Sequence, residues 1–312
     1  MHFALIASQQ DPAGITIYNA LRRMFPFEQA DAPLGGSQVF RFTKGRSLIS
    51  LYLLKRGLLE SDNLDKLIGA DGFIFLSKHR SSSNTKSFAV HSIGNWATAE
   101  AGGKPAALCP AMALLQQGIF LQLLKRGREG YVVTMESTHH GPYMEKPSIF
   151  VEVGSTGEEW GDEENGRVIS GAVMEAVSRY LNTHYDDNGQ PNEDEKSNEH
   201  KKFNEQNNDA DKRNEKPSVA IGIGGPHYCS SFNKLSQRKN IAFGHICPKH
   251  NLHVLDETML MQALEKTHET VDIIVLDWKG LGQEKQRISE ITGKIGVPVE
   301  RAAHLLKEKG GN

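Results

Sequence analysis

Short, continuously apolar runs recur along this chain, and helix-length stretches fill most of the gaps between them. That alternation limits the fold more than any other feature. Gly72–Ser77 (GFIFLS) is apolar almost without interruption, as expected of a central strand buried on both faces. His2–Ser8, Val39–Phe42, Leu48–Leu53, Ser87–Ile93, Tyr131–Thr138, Ser148–Gly154, Ser218–Gly224, Ile241–Ile246 and Asp272–Trp278 read as further strands. Asp11 and Pro12 open a helix with Ile15, Tyr18, Leu21 and Met24 at helical spacing. Pro110–Arg126 is a second helix, with cations at its end where they suit the dipole. Glu158–Asn182 and Glu257–His268 are two more, and two helices close the chain around Val297 and Pro298. Strands alternating with helices predict a single layered α/β/α domain with a mostly parallel or mixed central sheet.

One segment cannot join that core. Tyr185–Lys216 is almost wholly polar, too poor in apolar groups to offset the entropy of ordering. It is expected to be a disordered or mobile insertion in a domain that otherwise spans residues 1–312. Its net charge is about −4, so a chain at −2 overall has a body near +2. A histone-like polycation is excluded, and a nucleic-acid partner is not. The three cysteines, Cys109, Cys229 and Cys247, lack the spacing of a disulfide scaffold or a CxxC zinc site. The start carries no basic leader, and no apolar run reaches the roughly 18–20 residues of a bilayer span. The expectation is a cytoplasmic protein with no membrane contact.

Histidine placement carries the chemistry. Glu136-Ser137-Thr138-His139-His140-Gly141-Pro142 follows a strand, and the Gly-Pro break lets two adjacent imidazoles share a pocket. Glu152 sits inside the apolar run Phe150–Val153 and must be paired, protonated or metal-bound if buried. A hairpin between these two runs would bring Glu152 to the His-His turn. Gly222-Ile223-Gly224-Gly225-Pro226-His227-Tyr228 lacks the third glycine of the dinucleotide fingerprint. Gly224 and Gly225 are instead expected to let backbone amides approach a ligand or an oxyanion. His79 follows the central strand, with Asn84 and His91 beyond it, and His245 ends the run Ala242–His245. If the strands are parallel, His79, His139, His140, His227 and His245 share one sheet edge. Such a rim suits zinc, or general-base catalysis without metal. The basic groups (Arg41, Lys44 and Arg46; Lys55 and Arg56; Lys125, Arg126 and Arg128; Lys279, Lys285, Arg287 and Lys294) read equally as a phosphate-tracking face or as solvated helix faces.

Five blocks together resemble the archaeal and plant type of D-aminoacyl-tRNA deacylase: Phe75–Asn95, Glu136–Thr156, Ile221–Tyr228, Phe243–His245 and Leu276–Gly280. They span almost the whole chain in order. The resemblance implies an α/β fold akin to peptidyl-tRNA hydrolases and phosphorylase-like folds, and a monomeric cytosolic enzyme that requires zinc. It implies hydrolysis of the ester between a D-amino acid and the 3′ end of tRNA. Matching positions are His79, His91, Glu136, His139, His140, Glu152, His227, Tyr228 and His245. His139, His140, His227 and Glu136 are taken as the catalytic set, and His140, Glu152, His227 and His245 as candidate zinc ligands. His79, Asn84, His91, Thr138, Gly224, Gly225 and Tyr228 are taken as substrate-binding. Lys104, Lys125 and Arg126 are expected along the tRNA acceptor end. Two rival readings are a small-molecule or nucleoside phosphorylase-like enzyme and a non-catalytic tRNA-binding protein. The latter calls for basic and aromatic residues where this rim has His and Glu.

Overall fold

A computed structural model describes residues 1–30, 38–45, 47–184 and 216–307. The polar segment expected to be an insertion, Lys216 apart, and Arg46 lie outside the described residues. The first strand, β1 (His2–Ser8), is followed at once by α1 (Pro12–Met24), where Asp11 accepts the Gly14 amide and proline takes the first turn. The chain continues through β2 (Glu28–Gln29), β3 (Val39–Lys44), β4 (Ser47–Leu54), β5 (Gly72–His79), β6 (Ser87–Ser92), β7 (Gly94–Asn95) and β8 (Ala107–Leu108). Then come α2 (Ala113–Arg126), β9 (Val132–Met135), β10 (Ser148–Gly154), α3 (Gly157–Gly161) and α4 (Glu163–His184). The last part holds β11 (Ser218–Gly225), α5 (Ser230–Lys239), β12 (Ile241–Pro248), α6 (Glu257–Glu265), β13 (Ile273–Leu276), α7 (Lys285–Lys294), β14 (Val299–Arg301) and α8 (Ala302–Leu306). The stretch expected as one helix from Glu158 is two. A capping box of Thr156 and Glu159 starts α3, and Asp162, in extended backbone, ends it and accepts the Glu164 amide of α4.

The strands form a mixed eight-stranded sheet, β2-β3-β4-β1-β5-β10-β6-β9, and a second, wholly parallel sheet, β12-β11-β13-β14. A short β7-β8 pair stands apart. In the large sheet β4, β1, β5 and β10 run parallel, whereas β6 pairs antiparallel with β10 and parallel with β9. Two sequence expectations change here. The runs before and after the His-His turn do not make a hairpin, because β6 lies between β9 and β10. The histidines do not share one edge of parallel strands, because β6 and β9 oppose β5 and β10, and because His227 and His245 belong to the other sheet.

Side-chain alternation decides where the site lies. Phe3, Leu5, Ile74, Leu76, Phe88, Val90, Ile149, Val151 and Val153 face one way and join one apolar core with Ile17 and Leu21 of α1, Ile119 and Leu123 of α2 and Val173 and Val177 of α4. The intervening residues Phe73, Phe75 and Phe150 face the other way, in a separate core with Ile93 and Met144. Continuing the second row by steps of two gives Ser77 and His79 on β5 and Glu152 on β10. His91, opposite Phe150 in register, shares that face. Polar residues thus gather on the side of the sheet that α1, α2 and α4 do not cover.

Candidate active site

The segment after β9 stitches the two sheets together. Ser137 N–H donates to His227 O at 2.9 Å, and Thr138 N–H donates to Ile246 O at 3.0 Å. The Thr138 hydroxyl in turn accepts the Ile246 amide at 3.0 Å. The next residues, His139 and His140, are therefore placed where the face of β5, β6 and β10 meets the end of β11. His139 lies beside Ile93 in a parallel bridge, and His140 adopts a left-handed φ of 44° that turns the chain into Gly141-Pro142. The imidazole rings pack on one another: centroids are 4.1 Å apart for His91 and His139, 4.3 Å for His139 and His140, and 4.7 Å for His139 and His227. Phe150 forms the floor, stacked on His91 at 5.4 Å and edge-on to His140 at 4.8 Å.

Hydrogen bonding fixes which nitrogen of three rings is free. His91, His139 and His140 direct Nδ1 at the carbonyls of Ser92 (3.1 Å), Ser137 (2.8 Å) and Gly141 (2.6 Å). A carbonyl only accepts, so Nδ1–H donates, and in the neutral ring Nε2 carries the lone pair. Two glutamates complete the pocket. Glu152 Oε2 lies 3.2 Å from His79 Nδ1, and its Oε1 lies 4.0 Å from His91 Nε2. Glu136 Oε1 is 3.3 Å from His79 Nδ1, and its Oε2 is 3.2 Å from His227 Nε2 and 3.7 Å from His139 Nε2. Yet both oxygens of the buried Glu136, and the buried His91 Nε2, lack a hydrogen bond of good geometry. Buried polar atoms in that state carry a large desolvation cost unless a charged partner sits among them.

Charge is divided unevenly. Burial opposes protonation of His79, but the Glu152 hydrogen bond and the charges of Glu136 and Glu152 outweigh it and raise the ring to about 9. His91 is shifted up against the same burial by the same two carboxylates. Burial would raise Glu152, but His79 and His91 hold it well below the usual carboxylate range. On the other side, burial pushes His140 down to about 4, helped by the charge of His91. His139 lies well below the ordinary histidine value through burial and through His91, His140 and His227.

Three overlapping groups have ligand atoms within 4.8 Å of one another: His91, His139 and His140; Glu136, His139 and His227; and His79, Glu136 and Glu152. All seven residues in those groups were expected as catalytic, substrate-binding or metal residues. His91, expected to bind substrate, is equally placed as a ligand. Tyr228 is also brought in, with its hydroxyl 3.2 Å from His79 Nε2 and donating to Ser81 Oγ at 2.9 Å. Other expected residues are not brought together. His245 lies in the middle of β12, bonded to the Thr138 hydroxyl at 3.3 Å and edge-on to Trp96, and joins none of the three groups. Thr138 itself is buried as a strut between the sheets. Asn84 occupies an exposed turn with φ 50°. Gly224, at φ +99°, has a packing reason for its small size, since a Cβ there would lie 2.7 Å from Leu281 Cδ2. At Gly225 a Cβ would lie 2.9 Å from Phe232. Lys125 and Arg126 end α2, on the opposite face of the large sheet, and Arg126 rests against Gly171 of α4. Lys104 stays near the pocket, its Nζ 3.7 Å above the Tyr143 ring, and the adjacent Gly103 packs on Gly141.

The sequence reading passed over Phe150 and Ser137. Phe150 was readable from period two, being the same-face neighbour of Glu152. Ser137 gave no signal, because its role is to reach His227 across the sheet seam, with Oγ 3.2 Å from Nδ1.

Comparison with known proteins adds an independent line. The sequence model of a family described as D-aminoacyl-tRNA deacylase matches residues 67–300. The D-aminoacyl-tRNA deacylase of Thermococcus onnurineus is 28% identical over 301 residues, covering 94% of this chain and 97% of its own. That of Methanocaldococcus jannaschii is 30% identical over 312 residues, covering 96% and 100%. A crystal structure of a conserved protein of unknown function superimposes with a TM-score of 0.77 at 26% identity, over 98% of this chain and 96% of that one.

Proposed function

The chain belongs to the D-aminoacyl-tRNA deacylase family, and from that membership we propose how its own residues hydrolyse the ester joining a D-amino acid to the 3′ end of tRNA. Water adds to the ester carbonyl, the bond to the terminal ribose oxygen breaks, and free D-amino acid and tRNA leave. One observation carries the assignment of the site: Glu136, with both oxygens buried and no hydrogen bond, lies between His79, His139 and His227.

That donor set fits zinc, which takes imidazole nitrogen and carboxylate oxygen. Glu136, His139 and His227 would hold it, the first as the anionic ligand and the other two through Nε2. When bound, zinc polarises a carbonyl and makes water nucleophilic near neutral pH. His140 is assigned as general base, because burial keeps it neutral and its Nδ1–H is already used by Gly141 O. His79, as a cation between Glu136 and Glu152, fixes both carboxylates, and Ser137 O fixes the tautomer of His139. Lys104 supplies a positive charge beside the pocket for the tRNA end. Discrimination between D and L esters is assigned to the shape of the pocket. The enzyme is proposed to work in the cytoplasm as a monomer, as one domain; no helix of the described residues is long and apolar enough to cross a membrane.

A pure tRNA-binding module has no use for two buried carboxylates among five imidazoles, which favours catalysis over that alternative. The test gives purified protein D-tyrosyl-tRNA and L-tyrosyl-tRNA. Release of D-tyrosine at a much higher rate than L-tyrosine is expected; equal rates, or none, would overturn the reading.

A further inference from the structure

The four strands of the second sheet are parallel, so their C-terminal ends share one rim. The order β12-β11-β13-β14 means that the chain leaves β11 to one side for β12, then crosses to β13 on the other. Loops diverge at such a reversal, which is where open parallel sheets take up ligands. This rim carries His227 after β11, Lys249 and His250 after β12, Trp278 and Lys279 after β13, and Arg301 at the end of β14. His227 also belongs to the proposed active site. Rim and pocket therefore share a residue.

The cations of this region fall into two sets. Arg287 pairs with Glu284 and donates to the carbonyls of Leu255 and Leu252, and Lys294 pairs with Glu257. They serve the fold. Lys249, Lys279, Lys285 and Arg301 form no ion pair among the described residues. Two of them share the Trp278 indole, with Arg301 Cζ 3.7 Å and Lys285 Nζ 5.6 Å from its ring centre. Asp277, on the rim, accepts the Ser231 hydroxyl at 3.1 Å and the Gly280 amide at 3.3 Å. Cations without an ion pair among the described residues, two of them on one aromatic ring, make a local positive field.

We propose that this rim binds the backbone phosphates of the single-stranded 3′ end of the substrate tRNA, which leaves the pocket past His227 and crosses Trp278 towards Arg301. The inference rests on the deacylase reading for the identity of the RNA. The four strand ends span about 14 Å at the usual strand spacing, enough for a few phosphates of an extended strand. Lys279, Lys285 and Arg301 each meet one.

The experiment measures binding of uncharged tRNA across a salt series, and steady-state deacylation of D-tyrosyl-tRNA. The variants are K279Q/K285Q and the same pair combined with Arg301→Gln. Lys239→Gln is the control, since it lies at the far end of α5, at the opposite edge of the sheet. The triple variant is expected to bind tRNA at least about tenfold more weakly and to flatten the slope of log K against log salt by about 2, at roughly 0.7 per lost phosphate contact. Deacylation should show the loss in KM. Unchanged tRNA affinity and salt slope would overturn the proposal. The double variant changes only surface lysines and decides the matter if Arg301→Gln does not fold. Because binding is scored on uncharged tRNA, a wild-type protein without deacylase activity would overturn the functional reading while the rim is still judged by its salt slope.

Discussion

His79 and His140 line one pocket, and their charges differ. His79 touches Glu152 at 3.2 Å and Glu136 at 3.3 Å, and is raised to about 9. His140 gives its Nδ1–H to Gly141 O, packs against His91, His139 and Phe150, and is pushed down to about 4. Both are desolvated, so burial alone does not separate them. The distinction comes from β10 and the end of β9, which put both glutamates within reach of His79 and leave His140 facing carbonyl and rings. A neutral imidazole has a lone pair to give to a metal or a proton, and an imidazolium has none. The carboxylates thus sort the histidines into a positioning side and a reacting side.

The strongest way to break that division is to exchange the losses. His140→Ala should lower kcat/KM on D-tyrosyl-tRNA by about 10²–10⁴-fold, the usual worth of a general base, with zinc content retained. His79→Gln should cost less, about 10–100-fold, as for residues that orient a metal's ligands. If His79→Gln proved the more damaging, the two sides would have to be reversed. Zinc content sharpens the same point. His139→Ala should lose the ion on gel filtration as measured by atomic emission, and chelation of the wild type should abolish activity until zinc is restored.

Much of this was legible before the structure, for identifiable reasons. Glu152 stood out because a carboxylate within Phe150–Val153 has few bland explanations, and it is indeed buried against His79. His139 and His140 stood out because Gly141-Pro142 ends the strand, and both reach the pocket. His245 looked equivalent to them in sequence, yet it stays mid-strand under Trp96. Distinguishing it required the register of β12 and the bond to Thr138, both long-range facts. Lys125 and Arg126 misled for a similar reason: their helix was readable, but not the face of the sheet on which it packs. The split into two sheets was hidden too, because strand runs such as Ile149–Val153 and Val219–Ile223 look alike locally.

His245 supplies a test on stability rather than rate. Burial lowers its imidazole to about 4, while the unfolded chain holds it near 6.5. Between these values the unfolded state binds the extra proton, so stability is complete above pH 6.5 and falls as pH drops towards 4. The slope from this residue is about 1.4 kcal/mol per pH unit. The Tm gap between wild type and His245→Gln should therefore be widest near pH 7 and narrow by pH 5. A gap that stays constant with pH would show that His245 does not titrate between the two states.

The smallest expected effect probes the seam that holds the reacting side together. Ser137→Ala removes the hydroxyl 3.2 Å from His227 Nδ1 but leaves the carbonyl that accepts His139 Nδ1–H at 2.8 Å. The backbone bond from Ser137 N–H to His227 O also remains. Only His227 loses a partner, and one hydrogen bond is worth about 0.5–1.5 kcal/mol, or roughly 2–10-fold in rate. Zinc affinity and kcat should fall together within that range while Tm moves little. A loss comparable to His139→Ala would mean that Ser137 orders both imidazoles through one backbone position. An unchanged rate would mean that Glu136, 3.2 Å from His227 Nε2, holds the ring by itself, and that the orienting work on this side of the pocket is electrostatic, as it is around His79.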